Sequence, residues 1–147
     1  MKKEKVLEFL REQEVFVLST MDADGAPEMR ALINIRNPKI APHLVKFFKK
    51  DDRILIITNT HSDKISQIRA NSVASLYSYN QKFEGLLLKG YIKEVLDEET
   101  SVALWDDSWK MYYPGGRDGG DFSILEFVPE TYKSYSGFEK EKGEIKG

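Results

Sequence analysis

The run Ile54-Leu55-Ile56-Ile57-Thr58-Asn59 constrains the fold more than any other stretch of this chain. It is apolar without alternation, so the strand it predicts must be covered on both faces. Thr60-His61-Ser62-Asp63 breaks the run, and Ile65 and Ile68 then fall at helical spacing, predicting a helix over 62–71. Lys64 stands at the start of that helix. A helix N-terminus carries partial positive charge and unsatisfied N–H groups, so a cation there is electrostatically misplaced unless an anion is near. Hydroxyls, free N–H groups and an ammonium gathered at one strand-to-helix turn suit a phosphate. A solvated lysine behind an ordinary serine cap is the plainer reading, and the local pattern alone favours it, because short motifs often match by chance.

The 147 residues point to one domain, long enough to bury a core without staples. Hydrophobic residues at 41% and charged residues at 31% place the chain among globular proteins. A net charge of −2 with no long basic block argues against a nucleic-acid-tracking face. The absence of cysteine removes disulfides, thiolate metal sites and a thiol nucleophile, and fits a cytoplasmic location. The start, Met1-Lys2-Lys3-Glu4-Lys5, leads into an amphipathic run rather than an apolar signal segment. No stretch approaches a membrane span.

Periodicity predicts a helix over 2–13 and strands over 15–20, 27–36, 53–59, 72–80, 84–96, 122–128 and 131–135, with a short helix over 43–50. In the strand over 27–36, Met29, Ala31, Ile33 and Ile35 are expected to face the core, which puts Arg30 on the opposite face. Gly90, inside a long strand, predicts a bulge or a close backbone approach. Asp97-Glu98-Glu99-Thr100 opens a further helix, expected to carry Leu104, Trp105 and Trp109. The expected architecture is mainly β with added helices (α+β): roughly six strands in a small antiparallel barrel. Residues 1–136 form the domain, and 137–147 read as a polar, mobile tail.

The chemistry-bearing residues are few. His43 and His61 have no third ligand at a metal-like spacing, so no metal site is expected. Ser19, Ser62 and Ser66 lack a paired histidine and acid. The glycines at 115–120 are not a nucleotide fingerprint. Trp105, Trp109, Tyr112 and Tyr113 read first as core or dimer packing and second as a wall for a planar ligand. No protein nucleophile, metal or acid–base pair is evident, so an enzyme built from this chain would rely on a cofactor and its catalytic residues are unknown.

Several segments resemble one family. Val17-Leu18-Ser19-Thr20, Asp24-Gly25-Ala26-Pro27 and Met29-Arg30-Ala31-Leu32 resemble the opening hairpin of the pyridoxamine 5′-phosphate oxidase-like, FMN-binding split-barrel proteins. Thr58-Asn59-Thr60-His61-Ser62-Asp63-Lys64 resembles that family's phosphate-binding turn, and Gly90 its middle-strand glycine. Trp105, Trp109 and Tyr112-Tyr113-Pro114-Gly115-Gly116 resemble the general stress protein 26-like branch. The resemblance covers residues 6–136. It implies a six-stranded antiparallel split β-barrel with peripheral helices, working as a homodimer with two FMN sites at the interface.

The resemblance also implies roles. Arg30 matches the arginine that reaches the flavin phosphate or ring edge. Ala31 and Leu32 match positions running along the isoalloxazine, and Ile57 and Thr58 the strand end lining it. Asn59 lies in the matched turn, and Ser62, Asp63 and Lys64 match its phosphate contacts. Trp109 and Tyr113 are further candidates, as is Tyr135, which stands where the oxidases place a tryptophan covering the flavin from the partner subunit.

Departures separate the chain from the true oxidases. Ile35 replaces a lysine, Asp63 an arginine and Gly85 a glutamine, and no Arg-x-His motif follows Tyr135. The expected function is therefore that of an FMN-dependent oxidoreductase with an unknown small-molecule substrate, without pyridoxamine phosphate oxidase activity, nucleic-acid partner or membrane. The alternatives are a flavin-binding or storage protein without catalysis, and the same barrel holding haem or deazaflavin F420.

Overall fold

The computed structural model describes residues 1–146. The strands are β1 (Val15–Met21), β2 (Pro27–Ile33), β3 (Ile54–Asn59), β4 (Val73–Tyr79), β5 (Gly85–Val95), β6 (Phe122–Ser136) and β7 (Glu139–Glu144). The helices are α1 (Lys3–Arg11), α2 (Val45–Lys50), α3 (Asp63–Ala70) and α4 (Glu98–Leu104), with single 3-10 turns at Pro42–Leu44 and Asp107–Met111. The strands run antiparallel in the order β2-β1-β4-β5-β6-β3, and β7 adds to β6. The ends of this order, β2 and β3, do not pair, so the sheet curls into an open, split barrel. Among the described residues, no helix is long and apolar enough to cross a membrane.

β3 is covered on both faces, as its unbroken apolar run requires. Ile54 and Ile56 join the main core with Phe16, Leu18, Leu76, Leu88 and Phe127. Leu55 joins a second core with Leu44, Leu104, Trp109, Tyr113 and Ile124. Each such side chain withdrawn from water stabilises the fold by about 1.5–3 kcal/mol.

Three expectations need correction. First, the sheet has seven strands rather than six. The segments expected as separate strands at 122–128 and 131–135 are one, β6, interrupted by a bulge where Lys89 pairs with Thr131 and Gly90 with Pro129. The seventh strand is β7, in the segment read as a tail. Its side chains are all exposed, so it leaves no apolar signature; backbone pairing and the turn at Gly137, with φ +62°, form it.

Second, β2 presents the face opposite to the one its apolar residues suggested. Met29 is 69% exposed and Ile33 45%, while Arg30 and Leu32 turn inward. Period-two alternation identifies two faces without saying which is inside. Ile35 lies beyond the strand and is buried in the second core.

Third, α4 stops at Leu104. Trp105 is its C-cap residue, and Trp109 sits on the following 3-10 turn.

The aromatic cluster packs as core, the first of its two readings. Trp109 and Tyr113 are 8% and 7% exposed within their own chain, packed on Phe122, and only Tyr112 and Met111 stand out. A row of uncovered apolar side chains lies on the outer face of β2, β1 and β4. Cross-strand pairing there aligns Ile33 with Val15 and runs Ala31, Val17, Tyr77 and Leu87 in one row. Met29, Val15, Tyr77 and Tyr79 on this face are all exposed.

Gly90 fulfils its expectation. A Cβ there would lie 1.9 Å from the Val128 carbonyl oxygen and 3.0 Å from the Pro129 Cα, so a side chain would force two backbones apart. Gly90→Ala should lower stability by at least the ~1–3 kcal/mol of overpacking, read as the shift in the urea midpoint. A change below about 0.5 kcal/mol, the scale of a neutral surface substitution, would show that the crossing is loose.

Candidate cofactor site

Pairing of β1 with β2 sets Leu18 opposite Arg30 and Thr20 opposite Glu28. Thr20 is a polar residue at a fully buried position of an alternating strand, so its hydroxyl needs partners. It finds them in Arg30, whose Nη1 donates to Thr20 Oγ1 at 2.6 Å, and in Gln67 Oε1 on α3, to which the hydroxyl donates. Arg30 Nη2 donates to Gln67 Oε1 at 3.1 Å and to Glu28 Oε2 at 3.3 Å, and Gln67 Nε2 donates to the same Glu28 oxygen. The four side chains tie α3 across the ends of β1 and β2.

One turn earlier on α3, Lys64 turns back over the end of β3. Its Nζ donates to Thr58 Oγ1 at 2.6 Å and to Ser62 Oγ at 3.3 Å. Thr58 is buried, and the two hydroxyls lie 3.3 Å apart. Ser62 occupies the N-cap of α3, yet its side chain makes no capping bond and turns to Lys64. Among the described residues, hydroxyls are the hydrogen-bond partners of Lys64 and no carboxylate forms an ion pair with it. Burial, and then the nearby Arg30 charge, push the Lys64 ammonium below its usual 10.5, against a smaller opposing pull from Asp63.

A phosphate fits this donor set. A half-buried ammonium repelled by a second cation gains from an incoming anion on both counts, and two hydroxyls and the first N–H groups of α3 add donors. Arg30, Thr58, Ser62, Asp63 and Lys64 are thus gathered at one corner. Asn59 is adjacent and exposed, its Oδ1 accepting from the His61 N–H at 2.8 Å.

The other candidates separate. Ile57 lies on the opposite face of β3, against the second core with Trp109 and Tyr113. Leu32 packs on the main core, while Ala31 faces outward. Tyr135 sits at the far end of β6, opposite Gly85 and Lys140. Thr20, Gln67 and Glu28 escaped the sequence reading. Thr20 offered a signal as a hydroxyl in line with the buried Phe16 and Leu18, and Gln67 as the residue one turn from Lys64.

The histidines are engaged elsewhere. His43 Nε2 lies 3.0 Å from the Leu104 carbonyl oxygen and its ring stands edge-on to Trp109. His61 is largely exposed, with Nε2 3.5 Å from Asp121.

Comparison with known proteins places this fold. Solved structures with the same fold include a protein related to general stress protein 26 from Clostridium acetobutylicum, at 23% identity and a TM-score of 0.75, covering 97% of this chain and 93% of that one. General stress protein 26 from Bacillus anthracis matches at 18% identity and a TM-score of 0.72, covering 97% of each. A haem-binding protein from Mycobacterium smegmatis matches at 14% identity and a TM-score of 0.68, covering 97% of this chain but 57% of that one. No curated protein matches the chain. The family model described as pyridoxamine 5′-phosphate oxidase matches residues 3–136, and the chain belongs to that family.

Proposed function

We propose that this chain is an FMN-binding oxidoreductase of the general stress protein 26-like kind, working as a homodimer on a small-molecule substrate. The observation that carries the reading is Lys64: a half-buried ammonium held by two hydroxyls, near a second cation, with no carboxylate partner among the described residues. Lys64, Thr58 and Ser62 would hold the phosphate, and Arg30 would flank it. Bound FMN would supply hydride and single-electron transfer, chemistry for which no side chain of the site is suited. The task of the chain is then to bind, orient and shield. The haem alternative lacks a comparable observation, since His43 is turned to a backbone carbonyl and His61 to Asp121. A catalytic role is preferred to storage because family membership supports it; turnover of bound flavin by a reduced donor and a panel of acceptors distinguishes the two.

The outer face of β2, β1 and β4 supports the homodimer. Exposed Met29, Ile33, Val15, Tyr77 and Tyr79 make a contiguous apolar patch of the kind that monomers rarely leave in water. A two-fold interface covering such a face needs roughly 800 Å² from each partner. Sedimentation should give a dimer, and Ile33→Glu combined with Tyr79→Glu should yield folded monomer. A parent protein that stays monomeric at high concentration would refute the dimer.

Calorimetry tests the cofactor. FMN should bind at least about tenfold more tightly than riboflavin, because one charge-assisted contact to the phosphate is worth about 1.5–3 kcal/mol. Lys64→Ala should erase most of that difference, and equal affinities for the two flavins in the parent protein would sink the phosphate assignment. The pH dependence has a definite sign. The depressed Lys64 value means the free folded chain releases this proton more readily than the unfolded chain does, so this group stabilises the free fold as pH rises towards 10.5. Phosphate favours the protonated form. FMN affinity should therefore fall as pH rises through the Lys64 value, and Lys64→Arg should remove the fall.

Pyridoxamine 5′-phosphate should not be a substrate. Its own phosphate needs a second cationic pocket, and Ile35 is only 1% exposed in the second core. An assay for pyridoxal 5′-phosphate should find no turnover above background; a rate near the enzyme median of ~10 per second would overturn this.

A further inference from the structure

We propose that Glu28 is an internal counter-ion of the phosphate corner, a carboxylate that competes with the ligand's phosphate for Arg30 and so sets the affinity of the site for anions. The inference rests on the phosphate reading of Lys64 and adds a specificity-determining residue to it. Two cations meet at this corner, and the structure treats them differently. Among the described residues Lys64 has hydroxyl partners alone, whereas Arg30 Nη2 is held by the Glu28 carboxylate at 3.3 Å and by Gln67 Oε1 at 3.1 Å. Gln67 locks the arrangement, because its amide donates to Glu28 while its carbonyl accepts from Arg30 and from the buried Thr20 hydroxyl.

The Arg30 side chain is 21% exposed and that of Glu28 48%, so the pair lies where an arriving anion would meet it. A phosphate drawing on Arg30 must either displace this carboxylate or bind beside it against its repulsion. With Asp63 next to Lys64, the corner holds two cations and two anions. The chain would then favour a dianionic phosphate ester, which can outcompete one carboxylate, over singly charged carboxylates of similar size.

Calorimetry with Glu28→Gln tests this, with FMN and inorganic phosphate as the probes. Glutamine keeps the size and the hydrogen-bonding reach of Glu28 while removing its charge. FMN and phosphate should bind several-fold to about tenfold more tightly to Glu28→Gln, and riboflavin should be unaffected. Glu8→Gln, the same charge change on an exposed position of α1, should leave FMN affinity unchanged, which separates local competition from net charge. In an Arg30→Gln background the Glu28→Gln effect should shrink toward nothing, since its target is gone. A matching urea midpoint for Glu28→Gln and parent confirms that folding is intact. Unchanged or weaker FMN binding by folded Glu28→Gln would overturn the counter-ion role and leave the phosphate reading standing. If neither parent nor variant prefers FMN to riboflavin, the phosphate reading fails and the counter-ion role falls with it.

Discussion

β3 is packed between two cores, and the positions of the other elements follow from that. Even-numbered Ile54 and Ile56 close the main core, and odd-numbered Leu55 closes the second. Thr58 continues the even row, so its hydroxyl is carried into the buried side at the strand's end. α3 starts there, and the Lys64 ammonium bonds to the two hydroxyls within reach. The electrostatic character of the corner is therefore a consequence of core packing. Loosening β3 would move Thr58 and the α3 start together.

The corner also shows how a fold can hold one cation on hydroxyls while pairing a second with an acid. A buried ammonium costs several kcal/mol unless its hydrogen bonds are met. Here hydroxyls meet them without cancelling the charge, which leaves Lys64 able to gain from an anion. Arg30, by contrast, bonds to Thr20, Gln67 and Glu28. The same network anchors α3 to the hairpin of β1 and β2, so the site and the sheet edge are mechanically one unit. Two positions that depart from the oxidase pattern have structural roles here: Ile35 is buried in the second core, and the chain after Tyr135 continues into an edge strand.

Much of this was legible in the sequence where burial and chemistry say the same thing. The unbroken run at 54–58 demanded cover on both faces and has it. Gly90 demanded a close approach and lies against the Val128 carbonyl. Lys64 and Ser62, read together at one turn, are hydrogen-bonded there. Legibility ended where a pattern has two solutions. The apolar row Met29, Ala31, Ile33 reads alike whether it faces a core inside the chain or a surface outside it, so the direction of Arg30 came out reversed. β7 carries only Lys, Glu and Gly, and backbone pairing leaves no hydrophobic trace. The Thr20, Gln67 and Glu28 network joins residues far apart in the chain through polar contacts, which no periodicity encodes.

A crystal structure of the chain grown with FMN tests the central claim most directly. The expected result is phosphate density within hydrogen-bond distance of Lys64 Nζ and the hydroxyls of Thr58 and Ser62, at the N-terminus of α3. Phosphate density anywhere else, with the Lys64 ammonium still bonded only to its two hydroxyls, would contradict it.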